Sequence, residues 1–280
     1  MKQPGMVRRL VFLITLILIV VLGLNYSYFM KKVQVSGKGE ILKEFDFSSA
    51  KSLREWDKKV LSQKSTSYTA ENFDGKSCVK AYSEDSASAL FYKQTLSCKR
   101  EPFLKWKWRP EVFPVHKQIE TLYDKGEFDF VAQVYVVFSA KFFLNAKALQ
   151  YVWTEDLPVG TVAPSPYTKN VKVVVLQSGA SEEWKEESRN LKEDFRNFFG
   201  MELEKDIDAV AIMTDADSTG STAIAYYTDI VFGYLENNSN EGSVETVDKK
   251  SKDGANFSKK INPAKVDIEN KTDNIEKKED

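Results

Sequence analysis

Residues 129–139, DFVAQVYVVFS, constrain the fold of this chain more than any other stretch. Successive side chains of a strand point to opposite faces of a sheet, and here both faces are mostly apolar. A strand of this kind lies in the middle of a sheet that is covered on each side. Gln133 brings an amide into this run, so it needs a hydrogen-bond partner, either another side chain or a ligand.

A second β-rich stretch, residues 209–232, predicts a hairpin. Its two apolar runs flank a polar cluster of Asp, Ser, Thr and Gly residues, which is typical of a turn. The side-chain oxygens of Asp215, Asp217 and Thr219, followed by glycine, also resemble the first half of a calcium-binding loop. Tyr226 stands where the full motif requires Glu. Three interpretations follow: a turn held by its own hydrogen bonds, a calcium site, or a direct ligand or catalytic contact.

Composition narrows the class of protein. The chain has 40 basic and 41 acidic residues, and this balance argues against nucleic acid as a partner. His116 is its one histidine, so a zinc site with several histidines cannot form. Because His116 lies in a polar, irregular segment, we expect it on the surface. The sequence contains no nucleophile elbow, phosphate-binding glycine loop or CxxC motif.

Residues 1–32 predict an uncleaved signal anchor. Basic residues precede an apolar run from Leu10 to Met30, and such a run of about 21 residues can span a bilayer. A cleavable signal peptide is the alternative, but the small residues of a cleavage site are missing. The positive-inside preference places the N-terminus in the cytoplasm and the main domain outside it.

The other two parts of the chain differ sharply in composition. Residues 40–235 are rich in apolar and aromatic side chains and predict one β-sandwich domain. Residues 236–280 consist mainly of Lys, Asp, Glu, Asn and Ser. A segment of this composition buries too little apolar surface to order itself, so we expect a disordered charged tail.

Cys78 and Cys98 are the two cysteines of the chain. Outside the cytoplasm such a pair can form a disulfide. They flank two extended runs, residues 77–83 and 87–96, which predict a hairpin that would bring the two thiols close together. The alternative is two free cysteines that act as small buried apolar side chains.

Residues 103–109, FLKWKWR, alternate strictly between apolar and basic side chains. Two tryptophans share one face of the predicted strand, and Lys105, Lys107 and Arg109 share the other. The pattern indicates either core tryptophans with a solvated basic face or a groove for an anionic or polyhydroxyl ligand.

Residues 191–199 predict a helix. Asn190 is a suitable N-cap, Glu193 stands at the third helical position, and Gly200 ends the helix. Arg189 and Asn190 would then lie at a strand-to-helix junction, where polar side chains can contact a neighbouring loop or a ligand.

Six side chains are candidate contacts for a glycan or another polyhydroxyl ligand. Aromatic rings stack on sugar faces, while amide and guanidinium groups orient hydroxyls. The candidates are Arg109, Gln133, Tyr135, Trp153, Arg189 and Asn190. No spacing of Asp and Glu residues singles out an acid and base pair, so no catalytic residue is assigned.

Five phrases of the sequence together resemble a known family. In order they are FLKWKWR, DFVAQVYVVF, YVWTEDLPVGTVAPSPYTKNVKVVVLQSG, ESRNLKEDFRNFFG and AIMTDADSTGSTAIAYYTDI. Over about residues 45–232 the chain resembles DUF3047, a bacterial family named for having no known function. The family pattern usually has Arg where this chain has Gln133, so the resemblance does not support an anionic-ligand role for this position. Residues 227–230 are also similar to the last strand of galactose-binding-like and carbohydrate-binding jelly rolls.

Together these features predict a mainly β protein: an antiparallel, jelly-roll-like β-sandwich with one or two short helices, preceded by a single transmembrane helix. With a bacterial origin, the expected location is the inner membrane with the domain on the periplasmic side. The expected function is non-catalytic binding of a glycan or other polyhydroxyl envelope ligand. The alternatives are a polysaccharide hydrolase or lyase that uses an Asp/Glu pair, and a structural partner of an envelope protein complex. Calcium is the one cofactor that the residues suggest.

Overall fold

A computed structural model of the protein describes residues 40–140 and 146–236. These residues form thirteen strands, one α-helix and a short 3-10 helix, Ser52–Glu55. The predicted anchor, residues 1–32, and the predicted tail, apart from Glu236, lie outside the described residues. No helix in the described ranges is long and apolar enough to cross a bilayer.

The first sheet has six strands in the order β11-β6-β13-β4-β3, with β1 also paired to β13. Its strands are β1 (Glu40–Glu44), β3 (Ser67–Phe73), β4 (Lys76–Glu84), β6 (Pro102–Val112), β11 (Lys185–Asn190) and β13 (Thr222–Tyr234). All of these pairs are antiparallel.

The second sheet has seven strands in the order β2-β5-β12-β7-β8-β10-β9. Its strands are β2 (Asp57–Val60), β5 (Ala87–Leu96), β7 (Ala132–Phe138), β8 (Ala148–Thr154), β9 (Val162–Ser165), β10 (Thr168–Ser178) and β12 (Ile207–Asp215). Strand β7 lies between β12 and β8 and is buried except at Tyr135, which confirms its predicted central place. Strands β8 and β10 are parallel, whereas the other pairs of this sheet are antiparallel. The sheet is therefore mixed, but predominantly antiparallel as we predicted.

Aromatic side chains join the two sheets. Trp106 on β6 lies 5.5 Å from Tyr151 on β8, measured between ring centroids, and Trp108 lies 5.7 Å from Trp153. All four rings are fully buried. The tryptophans of FLKWKWR therefore belong to the core, and Lys105, Lys107 and Arg109 point away from it.

The predicted hairpin over residues 209–232 is wrong. Strand β12 lies in the second sheet and β13 in the first, so residues 216–221 carry the chain from one sheet to the other. The backbone N–H of Ser221 still donates to the carbonyl of Ala216 at 3.1 Å. The local turn is therefore present, but the two strands diverge because each covers the same core from its own side.

The disulfide prediction is also wrong, because both cysteines are free. Strand β4, which carries Cys78, and strand β5, which ends two residues before Cys98, belong to different sheets. They do not pair as the hairpin that would have brought the thiols together. Cys78 is buried, and its Sγ lies 3.6 Å from the carbonyl oxygen of Glu71.

The helix α1, Leu191–Phe199, is confirmed with both predicted caps. The Asn190 side chain accepts hydrogen bonds from the backbone N–H groups of Lys192 and Glu193, each at 3.1 Å. Gly200 ends the helix at φ +68°, a left-handed conformation that glycine adopts without strain.

Candidate ligand and metal site

The structure separates the six candidate ligand contacts. Trp153 lies between the sheets, and its indole N–H donates to the carbonyl of Gly179 at 2.9 Å. Arg109 lies on the outer face of the first sheet, where its guanidinium carbon is 4.7 Å from the ring centroid of Phe73. The same guanidinium pairs with Asp74 at 3.5 Å. Trp153 and Arg109 therefore lie on different faces of the fold and cannot contact the same ligand.

Arg189 and Asn190 lie at the junction between β11 and α1 and make hydrogen bonds that stabilise it. Arg189 donates two hydrogen bonds to the buried carboxylate of Asp194, at 2.7 and 2.6 Å. The Tyr151 hydroxyl donates to the same carboxylate at 2.6 Å. The hydrogen bonds to Asp194 raise the pKa of Arg189 above its ordinary value. Asn190 caps the helix, so both side chains are engaged within the protein.

Gln133 and Tyr135, in contrast, lie together on the outer face of the second sheet. The Gln133 side-chain carbonyl accepts hydrogen bonds from the Tyr135 hydroxyl and the Gln150 amide, both at 2.9 Å. The Gln133 amide donates to Asp215 at 2.6 Å. The partners that Gln133 requires are thus other side chains, and they connect it to the acidic turn.

Three carboxylates meet where β7 begins and β12 ends. One oxygen from each of Asp129, Asp215 and Asp217 lies within 4.8 Å of the others. Asp129 also accepts hydrogen bonds from the backbone N–H and the hydroxyl of Thr219, at 2.7 and 2.9 Å. Of the predicted metal ligands, Asp215 and Asp217 are therefore grouped with Asp129, while Thr219 holds Asp129 in position.

The polar group formed by these side chains is called the carboxylate–amide cluster. Its members are Asp129, Gln133, Tyr135, Gln150, Asp215 and Asp217. Gln133, Gln150, Asp129 and Asp215 are buried, whereas Asp217 and Tyr135 are partly exposed. A ligand therefore reaches the cluster from the side of Asp217 and Tyr135.

Sequence reasoning missed two members of this cluster. The alternation of residues 129–139 in the sequence groups Asp129 with Gln133 and Tyr135, and this signal could have identified it, although β7 begins at Ala132 and Asp129 lies in the segment before it. Gln150 has no comparable signal, because its position follows from the register in which it opposes Tyr135 across β7 and β8.

The cluster has the donor set of a hard cation site. Three like charges this close repel one another in a poorly solvated environment. Calcium binds six to eight oxygen ligands, mostly carboxylates, carbonyls and water. The residues fit calcium in ligand type, and Asp215 is held for such a role by the Phe130 backbone N–H at 2.9 Å and by Gln133.

Fold and site together define a mainly β protein with two packed sheets and a polar cluster on the outer face of one of them. The pattern of DUF3047, described as a protein of unknown function, matches residues 54–231, and the chain belongs to this family. No curated protein matches the chain.

Solved structures that are similar to the chain include carbohydrate-binding modules. Cellulose induced protein Cip1 has a TM-score of 0.40 and 9% identity, covering 69% of this chain and 98% of its own. The family 11 carbohydrate-binding module of Clostridium thermocellum has a TM-score of 0.38 and 8% identity, and the match covers 73% of this chain and 99% of that module. The Lys-gingipain adhesin domain of Porphyromonas gingivalis has a TM-score of 0.34 and 13% identity, and the match covers 69% of this chain and 99% of that domain. At such low scores these likenesses identify neither a ligand nor an activity for this chain.

Proposed function

We propose that this protein is a non-catalytic binding module that holds a glycan or another polyhydroxyl ligand at the carboxylate–amide cluster. The observation that carries the proposal is the grouping of three carboxylates, two amides and a phenol on the outer face of the second sheet. Small-molecule sites typically combine a few such convergent polar groups.

Polyhydroxyl ligands suit this set of groups. Each sugar hydroxyl both donates and accepts hydrogen bonds, carboxylates accept them, and amides do both. Gln133, Gln150 and Asp215 are already held by one another, so little side-chain entropy is lost on binding. Tyr135 adds a partly exposed aromatic ring on which a sugar face can stack.

Calcium is the proposed cofactor of the same site. Asp129, Asp215 and Asp217 would hold it, and three carboxylates leave some of its six to eight ligand positions open. Vicinal hydroxyls of the ligand are suitable for those positions. We further propose that residues 1–32 anchor the domain on the periplasmic side of the bacterial inner membrane, as the apolar run from Leu10 to Met30 suggests.

Glycan-array screening followed by titration calorimetry tests the binding proposal, with full-length protein in calcium and in chelator. The Asp217→Asn and Tyr135→Phe variants each remove one polar group at the accessible side of the cluster. We expect each to weaken binding about tenfold, as loss of a hydrogen bond to a charged or buried partner does.

Asp74→Asn is the matched control, because Asp74 is an exposed carboxylate on the first sheet. It is expected to bind like the unaltered protein. The proposal fails if no glycan binds, or if binding survives unchanged in both Asp217→Asn and Tyr135→Phe.

A further inference from the structure

Five apolar side chains stand exposed at one end of the sandwich, four of them on two loops and the fifth in the strand that follows the second loop. The loops are residues 113–131, between β6 and β7, and residues 155–161, which lead into β9. The apolar loop patch consists of Ile119 (88% exposed), Tyr123 (70%), Val115 (68%), Val159 (62%) and Val162 at the start of β9 (37%). Exposed apolar side chains that are grouped on neighbouring loops are the kind of surface at which interaction sites form.

Buried polar contacts hold the two loops together. Glu120 accepts the backbone N–H of Asp156 at 2.9 Å and that of Glu155 at 3.3 Å. His116, which we expected on the surface, is instead buried between Glu120 and Glu127. The exposed apolar side chains therefore project from loops whose conformation is held by these buried polar contacts.

A chain of hydrogen bonds connects the first of these loops to the carboxylate–amide cluster. The backbone N–H of Val115 donates to the Ser221 hydroxyl at 2.9 Å. That hydroxyl lies 2.8 Å from the Thr219 hydroxyl, and Thr219 donates to Asp129 at 2.7 Å from its backbone N–H. Three hydrogen bonds thus separate an exposed apolar loop from the acidic members of the cluster.

Strand register places this end of the sandwich away from the start of β1. Val112, the last residue of β6, pairs with Ile224 near the beginning of β13, whereas Glu40 pairs with Tyr234 at its end. Glu40, the first described residue, therefore lies at the end of the sandwich opposite to the apolar loop patch.

The charges around the patch do not favour an anionic surface. Lys117 and Lys125 on the first loop are matched by Asp124 on the same loop and by Glu155 and Asp156 on the second. Binding to anionic lipid by basic clusters requires an excess of Lys and Arg. Attraction must instead come from the apolar side chains and from recognition by the adjacent cluster.

We propose that the ligand is a glycolipid, whose sugar headgroup occupies the carboxylate–amide cluster while its acyl region contacts the apolar loop patch. This rests on the proposed function and names its ligand class. Apolar side chains that enter the headgroup and acyl boundary contribute affinity in proportion to the area they bury. A polar site that is linked by hydrogen bonds to the loop carrying the exposed side chains of Val115, Ile119 and Tyr123 suits both halves of such a molecule.

Vesicle binding to full-length protein in nanodiscs, with empty nanodiscs as reference, tests the proposal. The probes are phosphatidylcholine vesicles with and without digalactosyl diacylglycerol, and the soluble deacylated headgroup digalactosyl glycerol. We expect the glycolipid vesicles to bind at least about tenfold more tightly than the soluble headgroup, as burial of one or two aliphatic side chains provides.

The variants separate the two halves of the site. Ile119→Asp combined with Val159→Asp should remove the gain from the acyl chains and leave headgroup binding intact. Asp217→Asn should weaken binding to the soluble headgroup and to the glycolipid vesicles. Ile41→Asp, at a side chain that is 60% exposed on β1, is the matched control and should change neither.

Four results would overturn the proposal. Equal affinity for the soluble headgroup and the glycolipid vesicles removes it while the proposed function stands. Equal binding to vesicles with and without glycolipid would show that the apolar loop patch is a general lipid contact. A doubled molecular mass of the protein that is lost in the double variant Ile119→Asp, Val159→Asp would show that the patch is a contact between copies of this chain. Failure of every glycan and every vesicle to bind removes the proposed function as well.

Discussion

His116 and Glu120 form a buried pair, with Nε2 of the imidazole 3.6 Å from Oε1 of the carboxylate. Nδ1 on the other side of the ring lies 3.4 Å from Oε2 of Glu127. Glu120 also accepts the backbone N–H of Asp156 at 2.9 Å. The single histidine of the chain therefore separates two buried carboxylates and helps to tie the loop after β6 to the loop after β8.

Replacing His116 with Ala should lower the free energy of unfolding by about 2 kcal/mol, because it leaves the buried carboxyl groups of Glu120 and Glu127 without the imidazole between them. Urea denaturation of the full chain measures this loss. Ile119→Ala, three residues away on the exposed surface, should change stability by less than about 0.5 kcal/mol. Equal stability of the two variants would contradict a structural role for His116.

Arg189→Ala should also lower the free energy of unfolding, by about 3 kcal/mol, because Asp194 then remains buried without its cation. Arg196→Ala is the matched control. Arg196 makes a similar two-bond pair with Glu202, but both side chains are exposed, so its loss should destabilise the protein far less than the loss of Arg189. If Arg189→Ala reduces glycan binding and leaves stability unchanged, Arg189 is a ligand contact as first predicted.

Asp208 should make stability depend on pH in the acid range. Burial, and to a smaller extent the charge of Asp206, raise the pKa of Asp208 from 3.8 to about 6, against a hydrogen bond from Ser139. The folded state then holds a proton that the unfolded state releases, so this group's contribution to stability falls as the pH rises from about 3.8 to about 6.

Asp208→Asn should remove that contribution. Urea unfolding from about pH 3.5 to about pH 7 measures it as the difference between the stability curves of the variant and the unaltered protein. Asp156→Asn, at an exposed carboxylate, should leave the curve parallel to that of the unaltered protein. Parallel curves for Asp208→Asn would show that burial does not shift this group.

Calcium should raise the melting temperature, because an ion that binds only the folded state stabilises it. At a concentration about a hundredfold above the dissociation constant, the gain is about 2.7 kcal/mol. Asp217→Asn should lose most of this gain and Asp74→Asn should retain it, since Asp74 lies on the other sheet. A melting temperature that is unchanged by calcium and by chelator would contradict the calcium proposal.

Much of the local structure could be predicted from short-range patterns. The alternation in FLKWKWR identified the core face of β6, and the two apolar faces of DFVAQVYVVF identified the central position of β7. Asn190 and Gly200 marked the ends of α1 because capping depends on residues within one turn of the helix end. The candidate site was predicted in part, through Gln133, Tyr135, Asp215 and Asp217.

The sequence by itself thus determined the central strand β7, the apolar face of β6 and both ends of α1. Only the tertiary structure decided that β12 and β13 belong to different sheets, because residues 216–221 close the same local turn in a hairpin and in a crossing between sheets. It also decided that Gln150 and Asp129 join the acidic turn. Their places follow from the packing and register of strands that are distant in sequence, and no local pattern encodes that register.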